Sequence, residues 1–199
     1  MKKQPRSGFA VNTPRRPAIV IALHWLTLAA LLLGVALVLV REEFDGRALR
    51  YWLLEGHRHL GLLVLGLLIA RLAVRFARHR LPAIDSSSPL ARAAAGATHA
   101  ALYLLLAGVP ILGWLSSNAH GHDMRFLGLP LPALTEADDD LADTLQQWHA
   151  IAAWTMLALG LLHALAALWH HFIRRDPVLT AMLPLWRRKR SPVDDRIAS

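Results

Sequence analysis

Four long apolar runs, each of a length to cross a lipid bilayer, constrain this 199-residue chain more than any other feature. They lie at Ala18–Val40, about Trp52–Phe76, Ala93–Ser116 and about Leu145–Phe172. A helical crossing needs roughly 20 apolar residues. Hydrocarbon offers no partner to a stray backbone N–H or C=O, so such runs form helices and not strands. The expectation is an all-α fold: an integral membrane four-helix bundle over residues 18–172, forming one domain. The chain is 55% hydrophobic and 18% charged, and its mean hydropathy is +0.36. That balance is high for a water-soluble domain and ordinary for a small helical membrane protein.

The charges gather between the runs and alternate in sign. Residues 1–17 hold Lys2, Lys3, Arg6, Arg15 and Arg16 and no acid. The first connection sets Arg41, Arg47 and Arg50 against Glu42, Glu43 and Asp45. The second has Arg71, Arg75, Arg78, Arg80 and Arg92 against Asp85 alone. The third, residues 117–144, has Arg125 against Asp123, Glu136, Asp138, Asp139, Asp140 and Asp143. The tail after Phe172 has seven basic residues and three acids. Under the positive-inside rule this predicts cytoplasmic N and C termini. It also predicts a multi-pass membrane protein. Membrane topology accounts for the net charge of +8 without invoking nucleic acid.

The basic segment 1–17 is followed by a run too long for a signal-peptide core and with no small-residue cleavage site, so the first run reads as a retained helix. The third connection contains Gly121, Gly128, Pro130 and Pro132, which predicts an irregular outer loop with a short helical piece. Asp176-Pro177 predicts a helix start in the tail, residues 173–199. Val178, Leu179, Met182, Leu183 and Leu185, followed by Arg187, Arg188, Lys189 and Arg190, then predict an amphipathic, basic segment on membrane lipid. The last nine residues are expected to be disordered.

The chain has no cysteine, which excludes disulfides, thiolate-held iron–sulfur clusters and covalently attached haem. It has eleven histidines, several of them inside the apolar runs. An ionisable group within a span is costly and is a functional candidate by default. His24 lies near the inner start of the first helix. His57 and His59 lie near the outer start of the second. His99 lies near the inner start of the third. His149 and His163 lie at the outer start and deep interior of the fourth, and His170 and His171 at its inner end.

His149 and His163 are 14 residues apart. At about 100° and 1.5 Å per residue they share a helix face within about 40° and stand about 21 Å apart along the axis. Two sites at two depths follow. Depth then pairs His24 with His163 toward the inside and His57 with His149 toward the outside. Facing side chains of this kind supply the two axial ligands of a haem b in a helix bundle. One histidine near a helix end is by itself more often interfacial than ligating. His59, His79, His120, His122 and His171 stay in that class. His99 and His170 are alternates at the inner level, as His59 is at the outer. A proton relay would bring Asp or Glu into the bundle interior, and a metal transporter would bring Cys, carboxylates or Met; these spans are poor in both.

Trp52, Trp114 and Trp148 fall at expected outer interfaces. Gly34, Gly61, Gly66, Gly96, Gly108, Gly113 and Gly160 allow close approach of helices or of a flat macrocycle. Pro110 is expected to kink the third helix.

The stretches IALHW at His24, GHRHLGLLVLGLLIARLAVRF from Gly56 to Phe76, HAALYLLLAGVPILGW from His99 to Trp114, and QQWHAIAAW with LGLLHALAALWHHF in the last span resemble the bacterial cytochrome b561 family. That family is related to the cytochrome b subunit of nickel–iron hydrogenases. The resemblance runs from about Ala18 to Arg188. It implies four helices, two haem b groups and electron transfer to a quinone, ubiquinone included. It implies His24 and His163 as inner ligands and His57 and His149 as outer ones. The family's second-helix His lies four residues before the Gly matching Gly61, which selects His57; His59 is an additional histidine. Arg71 and Arg75 match basic positions, as holders of a propionate or a quinone headgroup or as positive-inside anchors. The implied function is a dihaem cytochrome of a bacterial inner membrane, carrying electrons between a donor and the membrane quinone pool. Alternatives are a superoxide:ubiquinone oxidoreductase, against which the acidic outer loop speaks, and a haem-bearing anchor subunit of a dehydrogenase or hydrogenase.

Overall fold

The computed structural model describes residues 16–78 and 88–184. The basic segment 1–15, His79, Arg80, Asp85, and the tail from Leu185 with its arginine cluster lie outside the described residues. Four helices carry the fold: α1 (Ala18–Glu42), α2 (Arg47–Ala77), α3 (Pro89–Ala119) and α4 (Asp139–Trp169), the last extended by a π-helical turn at His170–Arg174. All four are long and apolar enough to cross a membrane.

Local chemistry sets the helix starts. Pro17 precedes α1 and its carbonyl accepts from Val20 and Ile21. Ser88 caps α3 by accepting from the Ala91 amide at 3.3 Å, with Pro89 in the first turn. Asp138 caps α4 by accepting from the Leu141 amide at 2.9 Å, and Asp139 and Asp140 face the positive end of the helix dipole. α3 is a continuous helix through Pro110.

α1 packs along α2, α3 along α4, and α2 along α3. Among the described residues, α4 comes within 8 Å (Cα to Cα) of neither α1 nor α2. The bundle is therefore two tight hairpins joined along one seam and held apart elsewhere. Ala30, Val64, Leu68, Leu106, Val109 and Met156 form the buried core, with all four helices contributing. Met156 lies midway between His149 and His163 in sequence, so this apolar layer separates the two histidine levels. Outward residues such as Leu32, Ile69, Leu104 and Leu161 are at least half exposed. Water would penalise that surface; lipid does not.

Two local expectations are corrected. Between the end of α3 at Ala119 and the start of α4 at Asp139 the third connection holds no separate helix; Arg125–Phe126 and Leu129–Pro130 pair as a two-stranded ladder, β1 and β2. Leu127 and Gly128 both have positive φ, 51° and 84°, the geometry of a two-residue hairpin turn. The loop is anchored by buried Asn118, whose Oδ1 accepts from the Leu134 amide at 2.9 Å and whose Nδ2 donates to His122 O at 3.0 Å.

Asp176-Pro177 does not open a helix either. Arg175 adopts a left-handed conformation (φ 55°) that reverses the chain after the π-turn. Asp176 Oδ2 then accepts from His170 Nδ1 at 2.5 Å, and residues 177–183 form turns. The Trp25 indole donates to Met182 O at 2.7 Å, drawing this segment back onto α1. Side-chain capture at both ends competes with helix formation in so short a stretch.

Candidate functional site

The outer level is built by α1, α2, α3 and α4 together. The His57 and His149 rings face each other with centroids 6.0 Å apart and planes at 83°. His57 Nδ1–H donates to Gly34 O at 2.9 Å, and His149 Nδ1–H donates to Val109 O at 2.9 Å. A carbonyl can only accept. In each neutral ring Nδ1 therefore holds the proton, and Nε2 is left with its lone pair as the ligating atom. Backbone carbonyls orient metal-binding imidazoles in this way. Gly113 makes the approach possible: a Cβ there would lie 3.1 Å from His149 Nδ1 and Cε1.

His59, two residues on, is turned away. Its Nδ1–H donates to Glu55 O at 2.8 Å, and its ring stacks on Phe126 of the hairpin at 6.1 Å. The helical rotation that points His57 inward points His59 under the loop.

The inner level has three rings. His163 lies 6.4 Å from His24 and 5.2 Å from His99, centroid to centroid. Among the described residues none of these three rings has a hydrogen-bond partner of its own. Arg71 lies over the Tyr103 ring at 5.5 Å, and its charge bears on His24, His99 and His163. Arg75 and Arg16 bear on His99. His170 is held by Asp176 and stands apart from this cluster. His171 lies edge-on to Phe172, and His120 bonds Ser116 O.

With metal–imidazole bonds of about 2 Å, two rings on opposite sides of one iron hold their centroids about 6.4 Å apart. The His57–His149 and His24–His163 distances match that span; the His99–His163 distance is too short for it. Both matching pairs bridge helices whose backbones stay more than 8 Å apart, Cα to Cα. The donor set, neutral imidazole without thiolate, suits a b-type haem.

A comparison with known families matches residues 15–185 to the family described as prokaryotic cytochrome b561. The chain belongs to that family. It is a multi-pass bacterial membrane haem protein, and electron transport is the family's business. "Probable superoxide oxidase CybB" of Yersinia pestis is 32% identical over 165 residues, covering 82% of this chain and 93% of that protein. "Cytochrome b561 homolog 2" of Escherichia coli is 34% identical over 181 residues, covering 86% and 93%. "Cytochrome b561 homolog 1" of the same organism is 30% identical over 173 residues, covering 85% and 96%.

Three features are not legible from run lengths and histidine spacing: the loop anchor Asn118, the bond between Asp176 and His170, and the pairing of Trp25 with the tail. An Asn directly after two serines at a helix end is the signal that could have flagged the first.

Proposed function

We propose that this cytochrome b561 family member binds two haem b groups, one at each histidine level, and carries electrons between a donor and the membrane quinone pool. The observation that carries this proposal is the presence of two imidazole pairs, at 6.0 and 6.4 Å, on one shared helix and separated by an apolar layer. His57 and His149 would hold the outer haem, and His24 and His163 the inner one. Haem supplies one-electron redox chemistry, and the protein sets its potential through ligation, burial and hydrogen bonding.

The chain's own residues do the rest. The Gly34 and Val109 carbonyls lock the outer rings. The layer around Met156 keeps water from the space between the levels. Arg71, with Arg75 beside it, offers positive charge to a propionate or a quinone oxygen at the inner level. The charge alternation of the loops supports cytoplasmic termini and an inner-membrane location.

A reduced-minus-oxidised spectrum of the purified protein, with a haem count, tests this. Two haems per chain are expected, and zero or one would sink the assignment. A second function, superoxide:ubiquinone oxidoreductase, is favoured by the name of the Yersinia relative. A shallow hollow of about 410 Å³ on the first connection is lined by Arg41, Arg47 and Arg50 with Asp45, and Glu42 pairs with both Arg41 and Arg50, so its charges are largely balanced. Fast haem reduction on mixing with superoxide, absent from a buffer control, would establish this second function.

A further inference from the structure

Three buried side-chain donors lack a hydrogen-bond partner among the described residues: Arg41 Nε, Arg58 Nε and Trp114 Nε1. All three lie toward the end of the bundle that carries His57 and His149. Arg41 is engaged by Glu42 at 2.6 Å and lines the surface hollow. The other two directly follow residues of the outer site along the chain. Arg58 directly follows His57. Trp114 directly follows Gly113, the residue that abuts the His149 ring.

Their depths agree. Arg71 on α2 meets Tyr103 on α3. Consecutive crossings run in opposite directions, so from that contact Trp114 lies about 16 Å outward and Arg58 about 20 Å outward. They are within about one helical turn of a common level.

The chemistry of each group names what is missing. Arg58 Nη1 is committed to Glu55 Oε1 at 2.5 Å, and the two side chains are 13% and 21% exposed. Arg58 Nε is buried and makes no hydrogen bond among the described residues, and the Nε–Nη2 edge of a guanidinium fits a carboxylate by two parallel bonds. The Trp114 indole can only donate. A buried donor left without an acceptor is costly, so such groups in a native protein call for a partner. Haem b carries two propionate carboxylates on one edge of its ring.

We propose that Arg58 and Trp114 receive the propionates of the outer haem. This rests on the two-haem assignment above. The Arg58 charge then favours the reduced, less positive haem, and the fork and the indole fix which ring edge faces outward.

The test uses full-length Arg58→Leu, Arg58→Lys and Trp114→Phe variants purified in detergent. Haems per chain are counted, each haem is titrated spectroelectrochemically, and haem transfer to apomyoglobin is timed. The outer haem is the one lost in His149→Ala. The expected result is a lower outer potential in Arg58→Leu, a smaller fall in Arg58→Lys and Trp114→Phe, and an unmoved inner potential. Outer-haem transfer in Arg58→Leu speeds up about tenfold or more, as loss of a charge-assisted bond requires. Outer potential and transfer rate unchanged in all three variants would overturn the proposal and leave Arg58 as a structural partner of Glu55. A shift confined to the inner haem would overturn it equally. Fewer than two haems in the unaltered protein would overturn the two-haem assignment itself, before any variant is made.

Discussion

The outer and inner histidine levels are built on different plans. At the outer level each ring is tied to a backbone carbonyl of a neighbouring helix, and Gly113 clears the space beside His149. At the inner level three imidazoles crowd together with an arginine nearby, and none of them is tied by a hydrogen bond among the described residues. The outer pair is oriented by hydrogen bonds to backbone carbonyls; of the three inner rings, the proposed pair is the one whose spacing fits. Orientation by hydrogen bonds fixes both tautomer and direction, whereas spacing alone fixes neither. The proposed outer ligands are therefore held the more rigidly and are expected to be the less tolerant of change.

The largest expected effect separates the levels outright. His149→Ala should lose the outer haem and keep the inner, and His163→Ala the reverse. His99→Ala should keep both, by pyridine haemochrome count. If His99→Ala loses a haem while His24→Ala does not, the inner pair is His99–His163 and the spacing argument fails.

Gly113→Ala comes next. A methyl 3.1 Å from the His149 ring must displace it or the helix. Overpacking of this kind costs about 1–3 kcal/mol. A lower melting temperature with reduced outer-haem occupancy and an intact inner-haem spectrum is expected. Equal damage to both haems would show that the levels are not independent.

Arg71→Gln probes the inner level. It removes a positive charge and a cation–π contact worth about 0.5–2 kcal/mol. The inner midpoint potential should fall while the outer one holds, by redox titration. No movement at the inner haem would assign Arg71 to membrane anchoring.

Trp25→Phe should have the smallest effect. It removes the bond that draws the tail onto α1, a loss of about 1 kcal/mol. Slightly lower thermal stability and a faint change in the inner-haem band are expected, and a change at the outer haem instead would break the assignment of this strap to the inner end.

Much of the site was legible in one dimension because depth in a bilayer is a linear coordinate. His24, His57, His149 and His163 could be paired by counting residues from the ends of their runs. The choice between His57 and His59 could not be made that way. It depends on the rotation of α2, and on a hairpin whose Leu127–Gly128 turn lets Phe126 cover His59. The tail shows the same limit. Its apolar spacing announced an amphipathic segment, but Arg175 reversed the chain and Asp176 and Trp25 captured the two ends.

By itself the amino-acid sequence determined four membrane crossings, the absence of thiolate chemistry and two histidine levels. Those properties follow from run length, composition and spacing, which sum along the chain. Only the tertiary structure decided which rings face each other, which carbonyls hold them and which donors stay open. Those depend on how helices rotate and where distant segments meet, and no sum along the chain contains that information.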